Sequence, residues 1–163
     1  MPEMARIGIG YDSHRFAPGR ALVLGGVRLD SPIGLAGHSD GDAVLHAVTD
    51  ALLGAIGGPD IGELFADSDP RWKGADSSVF VAAAMQRVRQ AGLVVGNCDV
   101  TVIAEQPKLS RYKQPMGCRL ADLLGVAPSA VAIKAKTNEA MGWIGRGEGL
   151  AVIAAVLLNE QPA

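Results

Sequence analysis

Large rings are scarce in this chain: three Phe, two Trp and two Tyr among 163 residues. That excludes a core built on aromatic packing, and the accompanying 25 Ala and 21 Gly mean that the 48% apolar fraction consists of small and aliphatic groups. A chain of this kind either packs its backbones very closely or completes its core with other subunits. Cysteine is also rare. Cys98 and Cys118 stand twenty positions apart with no Cys-x-x-Cys spacing, as expected for reduced thiols in a reducing compartment. Neither sign of charge dominates, with 15 basic against 17 acidic residues and a net charge of −2, so there is no basic surface for nucleic acid. No apolar run is long: the longest, Leu150 to Leu158, has nine residues, too few to span a bilayer, and the first residues lack the features of a signal peptide. These absences predict a cytoplasmic protein with no membrane and no nucleic-acid partner. The length suits a single domain over 1–163, its core at 5–159.

Period-two alternation in Arg6–Tyr11 predicts a first strand, with Ile7, Ile9 and Tyr11 toward the core. Gly8 and Gly10 would then allow close approach on the solvent-side face or serve structure alone. Gly25-Gly26 between two short apolar segments predicts a small β-hairpin. Helical spacing of Val44, Ala47, Val48, Ala51 and Leu52 behind Ser39 or Asp40 predicts a helix reaching Ile56. A polar loop from Pro59 to Ala75 is long enough to suggest binding. A second helix follows, capped by Asp76 or Ser77 and ended by Gly92, and a third covers Pro115–Leu124 before Gly125. Strands are expected at Asp99–Ala104, Val131–Ala135 and Leu150–Leu158. The fold class is α+β: a mixed sheet of about four main strands, covered on one face by three helices, plus the hairpin, its other face free to meet a neighbour.

Asp12 and His14 are two apart on an extended strand and share one side of it, and His46 on the first helix completes a carboxylate and two-imidazole set. Such a set suits a zinc ion with an open fourth position, Asp42 or Asp50 orienting the second nitrogen of His46. The competing reading is a capped turn beside a half-buried helix histidine. Gly8-x-Gly10 fails as a dinucleotide fingerprint, because residue 13 is Ser and no helix opens behind the strand. Four carboxylates between Asp60 and Asp69 make either a solvated acidic loop or a binder of sugar hydroxyls. Gln106-Pro107-Lys108 is a turn or a pocket rim. Lys134 to Glu139 could hold phosphate with hydrated Mg²⁺, and in Gly142–Gly149 Arg146 is either an anion ligand or the partner of Glu148.

Taken together, Gly8-x-Gly10-x-Asp12-x-His14, His38-Ser39-Asp40-Gly41-Asp42 with His46, Asp60-Ile61-Gly62, Phe65-x-Asp67-x-Asp69-Pro70, Lys73 to Ser77, Ala104-x-x-Pro107-Lys108 and Gly145-Arg146-Gly147-Glu148-Gly149 resemble the 2-C-methyl-D-erythritol 2,4-cyclodiphosphate synthase family. The resemblance runs in order over about residues 5 to 159. It implies an enzyme of the non-mevalonate isoprenoid pathway that converts 4-diphosphocytidyl-2-C-methyl-D-erythritol 2-phosphate into the cyclic diphosphate and CMP. A homotrimer is implied, its sheets toward the centre and its sites between neighbouring subunits. By resemblance Asp12, His14 and His46 hold Zn²⁺ and also meet the substrate with Ser13. His38 and Ser39 contact its phosphate and erythritol portion, and Asp60, Ile61 and Gly62 its ribose. Phe65, Ala66, Asp67, Ser68 and Asp69 take the methylerythritol. Ala104, Glu105, Gln106, Pro107, Lys108, Leu109 and Ser110 form the cytosine pocket, largely through backbone. Lys136, Thr137, Asn138 and Glu139 surround the diphosphate, Glu139 reaching a second divalent ion, Mg²⁺ or Mn²⁺. His38 and Thr137 are the implied transition-state stabilisers. Trp143 falls in a substrate segment, and Arg146 faces the central channel, a place for an isoprenoid diphosphate.

The chain departs from the family pattern at Lys136 and Asn138, where Thr is more usual, and at Trp143, more often Phe. Two rival readings use the same residues: a phosphohydrolase whose metal activates water, and a trimeric nucleotide sensor without catalysis. The sensor gives no reason for three metal ligands.

Overall fold

The computed structural model describes residues 5–161. Strand β1 (Arg6–Pro18) runs antiparallel to β7 (Gly149–Glu160), and β7 in turn to β5 (Leu93–Ile103). Strand β6 (Val131–Lys136) lies parallel to β5, and the three-residue β4 (Ile33–Leu35) closes the other edge against the end of β1. The sheet order is β4-β1-β7-β5-β6, five strands where four main ones were expected. The addition is β4, too short to show a period. Strands β2 (Leu22–Leu24) and β3 (Val27–Leu29) form the predicted hairpin, Gly25 and Gly26 taking left-handed φ of 60° and 71°.

Helices α1 (Ala43–Ala55), α3 (Ser78–Gln90) and α4 (Lys113–Leu124) bury their apolar stripes on the sheet. Two four-residue helices, α2 (Ile61–Leu64) and α5 (Gly142–Gly145), sit in loops. The 59–75 segment is therefore more ordered than its polarity suggested: α2 carries a capping box between Asp60 and Glu63, and a 3-10 turn spans Pro70–Trp72. Helix α1 starts at Ala43 rather than at Ser39 or Asp40, because Asp42 is the residue whose carboxylate accepts from Val44 and Leu45. Helix α4 starts two residues before Pro115, which occupies the first turn where no intrahelical N–H is needed. Strand β5 begins at Leu93, six residues before the expected Asp99, and a bulge between Val95 and Asn97 absorbs a register shift.

The phase of β1 is the reverse of the expected one. Ile7, Ile9 and Tyr11 are 71%, 70% and 57% exposed, while Gly8 and Gly10 are buried under α1. A β-carbon on Gly8 would collide with the carbonyl oxygen of Ala51, and one on Gly10 with that of Ala47. The glycines thus face the helix, not solvent, because α1 lies directly on the strand backbone. The exposed residues, with Ile153, form an apolar strip on the uncovered sheet face. Cys98 and Cys118 are free thiols, and burial pushes Cys98 up to about 12.

Gly10→Ala is expected to destabilise the fold by about 3 kcal/mol, the upper end for overpacking because the obstacle is backbone. Thermal denaturation should show this as a Tm lower by roughly 6–12 °C.

Candidate functional site

The small-residue contact between β1 and α1 brings the sequence-predicted ligands together. Asp12 and His14 follow Gly8 and Gly10 on the helix-facing side of β1, and His46 precedes Ala47 on the facing stretch of α1. Asp12 Oδ2 lies 2.8 Å from His14 Nε2 and 3.2 Å from His46 Nδ1, and the two ring nitrogens are 3.2 Å apart. A tetrahedral ion with bonds of about 2.0–2.1 Å requires ligand separations of about 3.3 Å, so the three atoms fit one metal with one position left open.

Hydrogen bonding sets which nitrogens are free. His14 Nδ1 donates to the carbonyl of Ala36 at 2.5 Å, which leaves Nε2 facing Asp12. His46 Nε2 meets the hydroxyls of Ser77 at 2.9 Å and Ser39 at 3.1 Å, which leaves Nδ1 facing Asp12. The expected partners of His46 do other work. Asp42 is fully buried and accepts from Gly25, Gly26, Val44 and Leu45, and Asp50 accepts from Ile61. Ser77 was legible in the sequence only as a helix cap, since proximity to His46 is a tertiary contact. Burial opposes a charge on His14, yet the Asp12 carboxylate beside it, the Ala36 carbonyl and Asp67 together outweigh burial and raise its pKa. The same balance seen from Asp12 leaves its carboxyl below the usual value: burial pushes it up, and bonds to His14 and His46 hold it down.

These ligands open into a cavity of about 380 Å³ also lined by His38, Ser39, Ile61, Gly62, Phe65, Ala66 and Asp67. Arg20 holds the His38 loop by donating to the carbonyls of Gly37 at 2.6 Å and Ser39 at 2.5 Å. His38 Nε2 donates to the Asp69 carbonyl at 3.2 Å. Trp72 and Phe80 join Phe65 in one aromatic wall, with ring centroids 4.6 to 5.7 Å apart. Neither Trp72 nor Phe80 was among the predicted site residues, because one reads as a loop residue and the other as part of a helix stripe.

Other predicted residues lie outside this cavity. Asp60 caps α2, Asp69 pairs with Arg71, and Ser68 is exposed. Ser13 points to the uncovered face and lines a groove with His14, Arg15, Trp143 and Glu148, so Trp143 borders His14 from the side away from the Phe65 cavity. Arg146 Nε donates to Glu148 at 2.6 Å. Pro107, Lys108 and Ser110 line a third hollow with Asp30, Arg111 and Tyr112, Ala104 and Leu109 are buried, and Gln106 is exposed. Lys136 ends β6, and Glu105 accepts from the N–H groups of Asn138 and Ala140. Glu105 thereby holds a turn in which Glu139 and Ala140 take φ of 52° and 58°, while Thr137 Oγ1 donates to Glu139 at 3.3 Å. These loops leave the same end of the sheet as His14, because β5 and β6 run parallel to β1. Two or three strand spacings separate them from it, roughly 10–14 Å.

A family model described as the YgbB family matches residues 5–159. The chain belongs to the YgbB family. Similar curated members include the 2-C-methyl-D-erythritol 2,4-cyclodiphosphate synthase of Gemmatimonas aurantiaca, 56% identical over 94% of this chain and 93% of that one. The synthase of the same name from Ralstonia nicotianae is 54% identical over 97% and 94%. Among solved structures, the bifunctional IspDF of Campylobacter jejuni superposes with a TM-score of 0.93 at 41% identity, over 97% of this chain and 43% of that one. The IspF of Plasmodium falciparum in its CDP complex gives 0.86 at 32%, over 97% of both chains. With these synthases as relatives over nearly its whole length, the chain is an enzyme. Among the described residues no helix is long and apolar enough to cross a membrane.

A metal ion held by this candidate set would compete with a proton for His14 Nε2. Since Asp12 raises the His14 pKa above its ordinary 6.5, loss of metal affinity on acidification should begin above pH 6.5 and approach about tenfold per pH unit. Zinc titrations against a competing chelator from pH 8 to pH 5.5 would measure this.

Proposed function

We propose that the Asp12, His14 and His46 cavity is the phosphate-handling half of a 2-C-methyl-D-erythritol 2,4-cyclodiphosphate synthase site. The observation that carries the reading is the convergence of three ligand atoms, their second nitrogens engaged, beside an aromatic wall. An oxygen of the substrate's 2-phosphate attacks the β-phosphorus, and the bond to the bridging oxygen breaks. Its electron pair leaves with CMP. The substrate carries its own nucleophile, so the protein's work is to hold two anionic groups in line. When bound to Asp12, His14 and His46, zinc supplies positive charge to a phosphate oxygen.

His38 and Ser39 line the cavity where they can contact the substrate's phosphate and erythritol portion, and Arg20 keeps their loop in place. Phe65, with Trp72 and Phe80, offers an apolar surface for the methylerythritol carbons, beside Ala66, Asp67, Ser68 and Asp69. Asp60, Ile61 and Gly62 take the ribose. The cytosine is held by Ala104 to Ser110, and the diphosphate by Lys136, Thr137 and Asn138, with Glu139 reaching Mg²⁺ or Mn²⁺. Thr137 stabilises the developing charge together with His38.

The second group of residues comes from a neighbouring subunit of a homotrimer. Two features support this: the 10–14 Å gap within one chain, too wide for one diphosphate linkage, and the apolar strip of Ile7, Ile9, Tyr11 and Ile153 on the uncovered sheet face. Arg146 borders the resulting channel, where an isoprenoid diphosphate binds, and Trp143 adjoins the substrate beside His14. The enzyme works in the cytosol as one domain.

Purified protein with the cytidyl-diphosphate substrate and Mg²⁺ should give CMP and the cyclic diphosphate by ³¹P NMR, and a chelator should abolish both. A linear diphosphate instead would indicate the hydrolase. Shared sites predict complementation: Asp12→Asn and Thr137→Ala, each at least 100-fold slower alone, should regain a fraction of wild-type activity when mixed trimers are refolded together. No recovery would place each whole site within one chain.

A further inference from the structure

The hydroxyl of Ser77 stands where a helix cap belongs and does not cap. It occupies the N-cap position of α3 but makes no side-chain bond to the helix, while Asp76 accepts from Ser78 N at 2.8 Å instead. Ser77 is fully buried, and its Oγ lies 2.9 Å from His46 Nε2 and 2.5 Å from Asp40 Oδ1. Asp40 is itself fixed: its carboxylate also accepts from Ser77 N and Asp42 N, each at 3.0 Å, and its own N–H donates to Ala75 O.

The directions of these bonds follow from what each group can do. An ionised carboxylate only accepts, so the Ser77 hydroxyl donates its hydrogen to Asp40. Its oxygen is then an acceptor toward His46, and Nε2 must carry the proton. Nδ1 is left with a lone pair directed at the position shared with Asp12 Oδ2 and His14 Nε2. Without Ser77, only the longer contact to Ser39 Oγ at 3.1 Å is left to Nε2, and the opposite tautomer gains an advantage, because an Nδ1–H would donate to Asp12 Oδ2 at 3.2 Å and block that position.

We infer that Ser77 and Asp40 are positioning residues that hold His46 in its Nε2–H tautomer and keep its Nδ1 available to a metal. The inference rests on the reading of Asp12, His14 and His46 as a metal site. Neither residue lines the cavity, so neither is a substrate contact.

The test compares wild type with Ser77→Ala, Ser77→Thr and Asp40→Asn. Zinc affinity is measured by chelator competition, and the His46 tautomer of the metal-free protein by ¹⁵N imidazole NMR where the ring is neutral. Ser77→Ala and Asp40→Asn should lose about 10–100-fold in affinity and shift His46 toward Nδ1–H, while Ser77→Thr, which keeps the hydroxyl, stays near wild type. Wild-type affinity and an unchanged tautomer in Ser77→Ala would overturn the inference. If that variant does not fold, Ser77→Cys, similar in volume but a poor acceptor, is expected to weaken zinc likewise, and wild-type binding there would be equally decisive against it. Failure of wild type itself to bind zinc would refute the metal reading and the inference with it, and is told apart because it precedes any substitution.

Discussion

Helix α1 rests on the bare backbone of β1, and the rest of the structure depends on that closeness. Two glycines on the strand and the Ala47 and Ala51 turns of the helix remove every side chain between them. Where the strand next presents side chains on that face, they are Asp12 and His14, and the helix offers His46 at the matching height. A larger residue at Gly8 or Gly10 would lift α1 and carry its imidazole away from the other two ligands. The small-residue bias of the composition is therefore a condition for the site as much as for the core.

Polar contacts then determine how that geometry is used. Asp42, at the head of α1, takes four backbone N–H groups from the hairpin turn and the helix, and thereby docks β2–β3 onto the helix start. Burial pushes its carboxyl up to about 6 despite those donors, the expected sign for a charge fully removed from water. Asp40 ties the His38 loop to the start of α3, and Arg20 braces the same loop from its other side. The loop that presents His38 and Ser39 is thus anchored at both flanks.

Much of this was legible in the residues. Hairpin, three main helices and a mixed sheet follow from periodicity and from Gly25, Gly26, Gly92 and Gly125, all at positive φ. The Asp12 and His14 pair followed from its spacing of two on a strand. The phase of β1 was not legible: Ile7 and Ile9 look like core residues, and nothing local says that glycine is the buried partner. Nor was the true neighbour of His46, because Asp42 and Asp50 are close in sequence whereas Ser77 arrives from 31 residues away. The aromatic wall was missed for the same reason, since Trp72 and Phe80 meet Phe65 only when the 59–75 segment folds over α3.

By itself the sequence determined the order of the main strands and helices, the fold class, the residue types of the candidate metal set and, through its motifs, the family. These are properties of local pattern and residue chemistry, which need no knowledge of distant contacts. Tertiary structure alone decided which face of β1 is covered, which hydroxyls meet His46, and that Ala104 to Ser110 and Lys136 to Glu139 do not line the cavity of their own chain. Each of those depends on atoms far apart in sequence being packed to within a few ångströms, and backbone sterics at Gly8 and Gly10 set that packing.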